Sequence, residues 1–398
     1  VNPVGYPSFA NQVAMSGVAR GRVIMNFQFS EDAEALRTQA RKFLAEQSDR
    51  SRARSVMDAG THMDKALWQQ MVDLGWTALR IPDVYGGLGL GVLELCVLAE
   101  EVGRALTPVP FTSSVLMATE LLIASGHADM QKTWLPKLAN GSAIGTVAWM
   151  EGTTGSPVSA PNLSFERGGL IGTKIPVADG MIADFAIVTA TDALTGELII
   201  AVQELSHDKV TRENTETIDL VRPHATISFD GCNPAILAQG AQAEKLRDHF
   251  IHATAVLLAF EGLGGAEAAM DMAVAYAKDR VTFGRKIGSY QAVKHKCADM
   301  YIKNQLARSH AYYGAWALST DAPELAQAAS GARLAAMDAY RYAAEENVQL
   351  HGGIGFTWES DCQFFYRRAR LLALSLGARP FWVDRLVRTL EQRNTLAA

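Results

Sequence analysis

Apolar positions change their rhythm along this chain, and the changes divide it into three stretches. From Ser30 onward they recur at helical spacing, with Leu36, Ala40, Phe43 and Leu44 on one side of a helix. Ser30 stands before Glu31 and Asp32, a cap residue followed by acids in a first turn. Lys65–Leu74 reads as a second helix, stopped by Gly75. The loop Ile81–Leu90 breaks the pattern, and Leu93–Arg104, Ser114–Ser125 and Met130–Leu138 resume it. Beyond Asn140-Gly141, short β-prone runs take over at 145–150, 185–190, 198–205 and 225–229, parted by Gly, Pro, Asp and Thr clusters. These predict a small antiparallel barrel or sandwich. After Gln242 the chain turns helical again. Ala-rich segments at 244–279, 291–319 and 323–350, with 380–393, suffice for a four-helix bundle. Val293, Cys297, Met300, Asn304, Ala307 and Ala311 trace one face of the second segment, a stripe suited to core or to a subunit interface.

The pattern therefore predicts an α+β multidomain chain: a helical domain over 25–140, a β domain over 141–243 and a helical bundle over 244–398. Residues 1–24 are rich in small residues and lack the apolar segment of a signal peptide. They read as a leader or non-native extension, because Met25 opens a stretch that reads as a natural start.

Composition narrows the function classes. The chain has 398 residues, 48% of them hydrophobic and 20% charged, which is ordinary for a globular protein of two or three packed units. A net charge of -5 argues against nucleic acid or an anionic membrane as the main partner. No apolar run approaches the roughly 20 residues of a bilayer span. Cys96, Cys232, Cys297 and Cys362 form no CxxC pair and no metal-ligand spacing, which fits reduced thiols in a cytoplasmic protein. His249 and His252, at i and i+3, read as polar surface residues, and no metal is expected. GGLGLG at 86–91 reads as a plain turn, since no βαβ unit flanks it.

The candidate chemistry lies in RVTFGRKIGSYQ (280–291) and QLHGGIGF (349–356). A fixed cation suits a pyrophosphate, and glycine lets backbone approach a dinucleotide closely. These segments resemble the acyl-CoA dehydrogenase family, as do LWQQMVDLGWTALRIPDVYGGLGLG and ELCVLAEEVGRALTPVPF near the start. The order of helices, strands and bundle resembles it as well. The likeness runs from Phe29 to Leu390. It implies FAD as cofactor, an acyl-CoA substrate and electron-transfer flavoprotein as electron acceptor. Arg280 matches the family's pyrophosphate-binding Arg, with Thr282 and Phe283 beside it. Ile287 and Gln291 match adenine-side positions, and Gln349, Gly352 and Gly353 match the Gln-x-x-Gly-Gly turn. The family usually offers these segments to FAD from the neighbouring subunit.

Elsewhere the chain departs from the family. The β-domain motif Thr-Glu-Pro-x-x-Gly-Ser-Asp corresponds to 150–157, where Glu151, Gly155 and the cofactor-contacting Ser156 remain and Met150 replaces Thr. Further on, Pro176 stands at the flavin-packing Trp position and Ala178 at the hydrogen-bonding Thr position. The resemblance places the catalytic Glu at either of two positions, and these hold Leu376 and Thr254, with Ala255 where a neighbouring Arg is usual. Glu261, two turns along from Thr254, is the candidate displaced base. The resemblance thus implies the partner subunit of an α2β2 dehydrogenase, of the kind that acts on CoA thioesters of steroid side chains. Three alternatives stand beside it: a homotetrameric dehydrogenase using Glu261, a flavin monooxygenase of the same fold, and a scaffold without flavin.

Overall fold

The computed structural model describes residues 29–152 and 160–397. The proposed leader at 1–24 and Ser156 lie outside the described residues. The N-terminal helices are α1 (Glu31–Gln47), α2 (Arg50–Ala59), α3 (Lys65–Asp73), α4 (Val92–Ala105), α5 (Glu120–Ser125) and α6 (Ala128–Ala139). Ser30 caps α1 as expected: the Ala33 N–H donates to its Oγ at 3.1 Å. Helix α2 was not legible in the sequence, because its stripe is only Ala53, Val56 and Met57 among arginines. The helix expected over Ser114–Ser125 begins earlier and wider, with Phe111–Thr119 wound as a π-helix ahead of α5. Turns of this kind are rare and cluster at functional sites. The GGLGLG loop is a packed turn, where a Cβ on Gly87 would sit 1.8 Å from the Ile81 carbonyl oxygen.

The strands are β1 (Gly145–Ala148), β2 (Ser164–Glu166), β3 (Gly169–Ala178), β4 (Phe185–Asp192), β5 (Leu198–Glu204), β6 (Val210–Thr215), β7 (His224–Cys232) and β8 (Ala235–Gln239). They form one eight-stranded sheet in the order β6-β7-β3-β2-β4-β5-β8, with β1 also paired to β4. The expected antiparallel barrel or sandwich is corrected to a mixed sheet, since β1 and β2 both run parallel to β4. Along β4, Phe185 and Ile187 enter the large helical core, while Ala186, Val188 and Ala190 enter a smaller one on the other face. Burying each large apolar side chain contributes about 1.5–3 kcal/mol.

The chain then enters α7 (Gly240–Asp279) and a short hairpin of β9 (Val281–Thr282) and β10 (Arg285–Lys286). Helices α8 (Gln291–Ser319), α9 (Leu325–His351), α10 (Cys362–Leu374) and α11 (Arg379–Ala397) follow. Helix α9 packs against α7, α8, α10 and α11, so the expected bundle gains α10 as a further member. On α8, Met300, Asn304, Ala307 and Ala311 are buried, and Val293 and Cys297 half-buried. Helix α7 is long and apolar enough to cross a membrane by composition, but 89% of that stretch is buried inside the fold. Its position against α4 is set by close backbone approach. A Cβ on Gly103 would sit 2.1 Å from the Glu261 carbonyl oxygen, and one on Gly264 would sit 1.8 Å from that of Glu100. Only glycine allows this approach, and it fixes where Glu261 lies.

Candidate active site

Two segments distant in sequence meet at the ends of α7 and α9. Tyr276 of α7 stacks on His351 of α9, with ring centroids 4.1 Å apart and planes inclined by 25°. Arg280 follows one turn after Tyr276, and its backbone N–H donates to the Tyr276 carbonyl. The β9–β10 hairpin turns through Phe283 (φ 52°) and Gly284 (φ 78°), both left-handed. Phe283 holds this conformation while 92% exposed, so neither local backbone preference nor packing within the chain accounts for it. Arg280, Gln291, Gln349, Gly352 and Gly353 are exposed, and Thr282 and Ile287 half-buried. Beside them stand Phe356, 82% exposed, and Ile354. Gly352 takes φ 64°, where glycine is favoured. Gly353 does not, and nothing lies within 4 Å of a Cβ placed there. Internal packing thus gives no reason for glycine at 353, whereas a group arriving from outside would. This surface fits the pyrophosphate and adenine half of a dinucleotide.

A cavity of about 510 Å³ opens between the sheet, the π-helical turn, α7 and α10. On the sheet side it is faced by Met150, Ile175, Pro176 and Ala178, and on the helical side by Leu258, Leu371, Leu374 and Leu376. Pro176 offers no N–H to the sheet here, and the β3–β7 ladder shifts register between Lys174 and Val177. Glu151, kept from the family motif, is a structural pin. Its carboxylate accepts from the Asn162 and Leu163 N–H groups and pairs with buried Lys174 at 2.5 Å. Burial alone would raise the Glu151 carboxyl, but Lys174 and these N–H groups hold it below the ordinary range. Along Met150, Ile175, Pro176 and Ala178 this wall presents only apolar side chains, where the resemblance implies contacts to a flavin ring. At these positions the isoalloxazine half of FAD lacks the contacts that the resemblance implies.

Leu376 faces the cavity at φ 59° and carries nothing that titrates. Thr254 is fully buried on α7, and its hydroxyl has no partner among the described residues. Glu261, the expected displaced base, lies behind the cavity wall rather than in it. It is fully buried; Thr112 Oγ1 donates to its Oε2 at 2.9 Å and Arg222 Nη2 to its Oε1 at 2.5 Å. Arg368 stands 3.7 Å away and also pairs with Asp219. Burial alone would raise this carboxyl, but Arg222 and Arg368 outweigh it and hold it below its usual range. A carboxylate so held is an anchor for two arginines, and the expectation of a base is corrected accordingly.

Sequence reasoning missed the polar residues on the cavity wall, among them Glu216, Arg222, His224 and Arg370. Glu216, on the exposed turn after β6, is the one carboxylate in the lining among the described residues. Arg222 and His224 flank Pro223 where β7 begins, and no spacing signal marked them. His252, read as a surface residue, accepts instead from Arg385 between α7 and α11.

A model of the acyl-CoA dehydrogenase N-terminal domain matches residues 30–142, and one of the acyl-CoA dehydrogenase C-terminal domain matches 247–389. The chain is 32% identical over 349 residues to acyl-CoA dehydrogenase IpdE2 of Mycolicibacterium smegmatis, covering 87% of this chain and 95% of that protein. It is 32% identical over 340 residues to IpdE2 of Mycobacterium tuberculosis, covering 85% and 91%. Among solved structures, a chain of a Tcur3481-Tcur3483 steroid ACAD variant superposes with a TM-score of 0.83 at 27% identity, covering 92% of this chain and 99% of that one. The ChsE4-ChsE5 complex from Mycobacterium tuberculosis shares the fold, with a TM-score of 0.83 at 24% identity and the same coverage.

Proposed function

The chain belongs to the acyl-CoA dehydrogenase family, and on that premise we propose that it is the partner subunit of a two-chain dehydrogenase, lending FAD-binding residues to another subunit's active site. The family is flavin-dependent, and its members are oxidoreductases. One observation carries the reading. The segments suited to the dinucleotide face outward, while the chain's own cavity has Leu376, Pro176 and Ala178 where base and flavin contacts would stand.

Arg280, Gln291, Gln349 and the Gly352-Gly353 turn would hold the pyrophosphate and adenine, with Thr282, Phe283 and Ile287 packing beside them. FAD, when bound, supplies the acceptor for the hydride that leaves the β-carbon of the acyl group. The α-proton then needs a base from the other chain, since Leu376 cannot take it and Glu261 is committed to Arg222 and Thr112. The two-chain names of the Tcur3481-Tcur3483 and ChsE4-ChsE5 structures support this assembly, and the steroid named for the former supports a bulky acyl-CoA as substrate. Electron-transfer flavoprotein is the proposed acceptor and the cytoplasm the proposed location.

The test is flavin content and acyl-CoA-dependent dye reduction, for the chain alone and co-expressed with a second dehydrogenase subunit from its host. Little activity and little FAD alone, with one FAD per pair of chains together, is the expected result. Full flavin loading and turnover in the isolated chain would overturn the reading. Its rival is a self-sufficient dehydrogenase with Glu216 as base, favoured by the place of that carboxylate in the cavity lining. Glu216→Gln would then abolish flavin reduction by an acyl-CoA.

A further inference from the structure

Where β7 begins, the cavity wall stops being apolar. Arg222 and His224 both line it, and His224 is only 5% exposed. His224 Nδ1 lies 3.0 Å from the Arg222 carbonyl oxygen. A carbonyl can only accept, so the ring donates there and the neutral imidazole keeps its lone pair on Nε2. Burial keeps the ring neutral, with its pKa pushed down to about 4 and the Arg222 charge acting in the same direction. Nε2 has no hydrogen-bond partner among the described residues. Arg222 commits Nη2 to Thr112 and Glu261, and its Nε and Nη1 have no partner among the described residues. Ala178, paired with His224 across the β3–β7 ladder, is small enough to leave the imidazole open to the cavity.

An acceptor and a cationic donor thus stand two residues apart on one wall, opposite leucines. Polar groups left unpaired are costly once a ligand shuts water out of a cavity, so a bound acyl group gains most from one group that serves both. A carboxylate would meet the Nε2 lone pair, and a ketone would leave Nε2 without a donor. A hydroxyl satisfies both. We propose that this cavity binds an acyl group bearing a hydroxyl, whose O–H donates to His224 Nε2 and whose oxygen accepts from Arg222. The subsite goes beyond the partner-subunit reading, and rests on family membership only for the CoA end of its ligand.

The full-length chain is titrated calorimetrically with cyclohexylpropanoyl-CoA and with its 3-hydroxy and 4-hydroxy forms. At least one hydroxy form is expected to bind about 10-fold tighter than the parent. His224→Phe should abolish that preference while keeping affinity for the parent. His224→Gln, whose Oε1 can accept, should keep part of it, and gives a second reading if the Phe variant does not fold. Equal affinities in the unmutated chain, binding of none of the three, or a preference that survives His224→Phe would each overturn the proposal. So would loss of FAD from the two-chain complex in His224→Phe with the hydroxyl preference intact, because the pair would then serve the cofactor. Flavin loading of the unmutated chain decides the partner-subunit reading and is not read by the titration, so the two can fail separately.

Discussion

Glu261 carries the chain's most testable single-residue chemistry. Two arginines and a threonine hold its carboxylate in a fully buried site. Removing its charge leaves Arg222 without its buried counter-ion and Arg368 with Asp219 alone. Glu261→Gln should therefore cost about 3–5 kcal/mol of stability, measured by urea unfolding. A small change would mean that the network is not an anchor. His224 sets a pH dependence of known sign. Its pKa is about 4 in the fold against an ordinary 6.5, so the unfolded chain binds the extra proton first as pH falls. The stability tied to its neutral form is complete above pH 6.5 and is lost as pH falls towards 4. His224→Gln should flatten the fall in melting temperature across that window, and an unchanged slope would count against a neutral buried ring.

At the scale of elements, the partner-subunit reading rests on the β9–β10 hairpin and the turn after α9. Phe283 bears a left-handed backbone and almost full exposure at once. Phe283→Gly should leave the isolated chain as stable or up to about 1 kcal/mol more stable, while weakening association with the second subunit. Thermal melting and sedimentation of the mixture read the two effects. Gly353→Ala should leave the melting temperature unchanged, because the fold has open space at that Cβ, and should lower FAD retention in the assembled complex. Unchanged retention would remove the turn from the cofactor site. The π-helical stretch Phe111–Thr119 works inward instead, holding Thr112 against both Glu261 and Arg222.

Over the whole molecule, α8 carries one run of exposed apolar side chains. Tyr301, Ile302 and Leu306 of α8 are each more than half exposed, on the side away from the buried stripe of Met300, Asn304 and Ala307. A face of this kind is expected to be covered in the assembly. Leu306→Lys should shift the complex towards smaller species in light scattering while leaving each chain folded. Unaltered mass would place the subunit interface elsewhere.

The sequence determined the family, the succession of helices, strands and helices, and the segments proposed to bind FAD, because these depend on periodicity and on short runs of contiguous residues. Leu376 and Pro176 could likewise be recognised as departures by position alone. It missed β3, whose glycines and proline read as breaks, and β6, whose Thr, Arg, Glu and Asn are not buried on either face. It also placed Glu261 by helical phase, which says which residues share a face and nothing about what that face meets. Only the tertiary structure decided that α4 closes on α7 through Gly103 and Gly264, that Arg222 arrives from the sheet to claim the carboxylate, and that His224 turns a lone pair into the cavity. Those outcomes join residues of α4, α7 and the start of β7. The charge and hydrogen-bonding state of a side chain is set by such neighbours in space, and no local pattern records them.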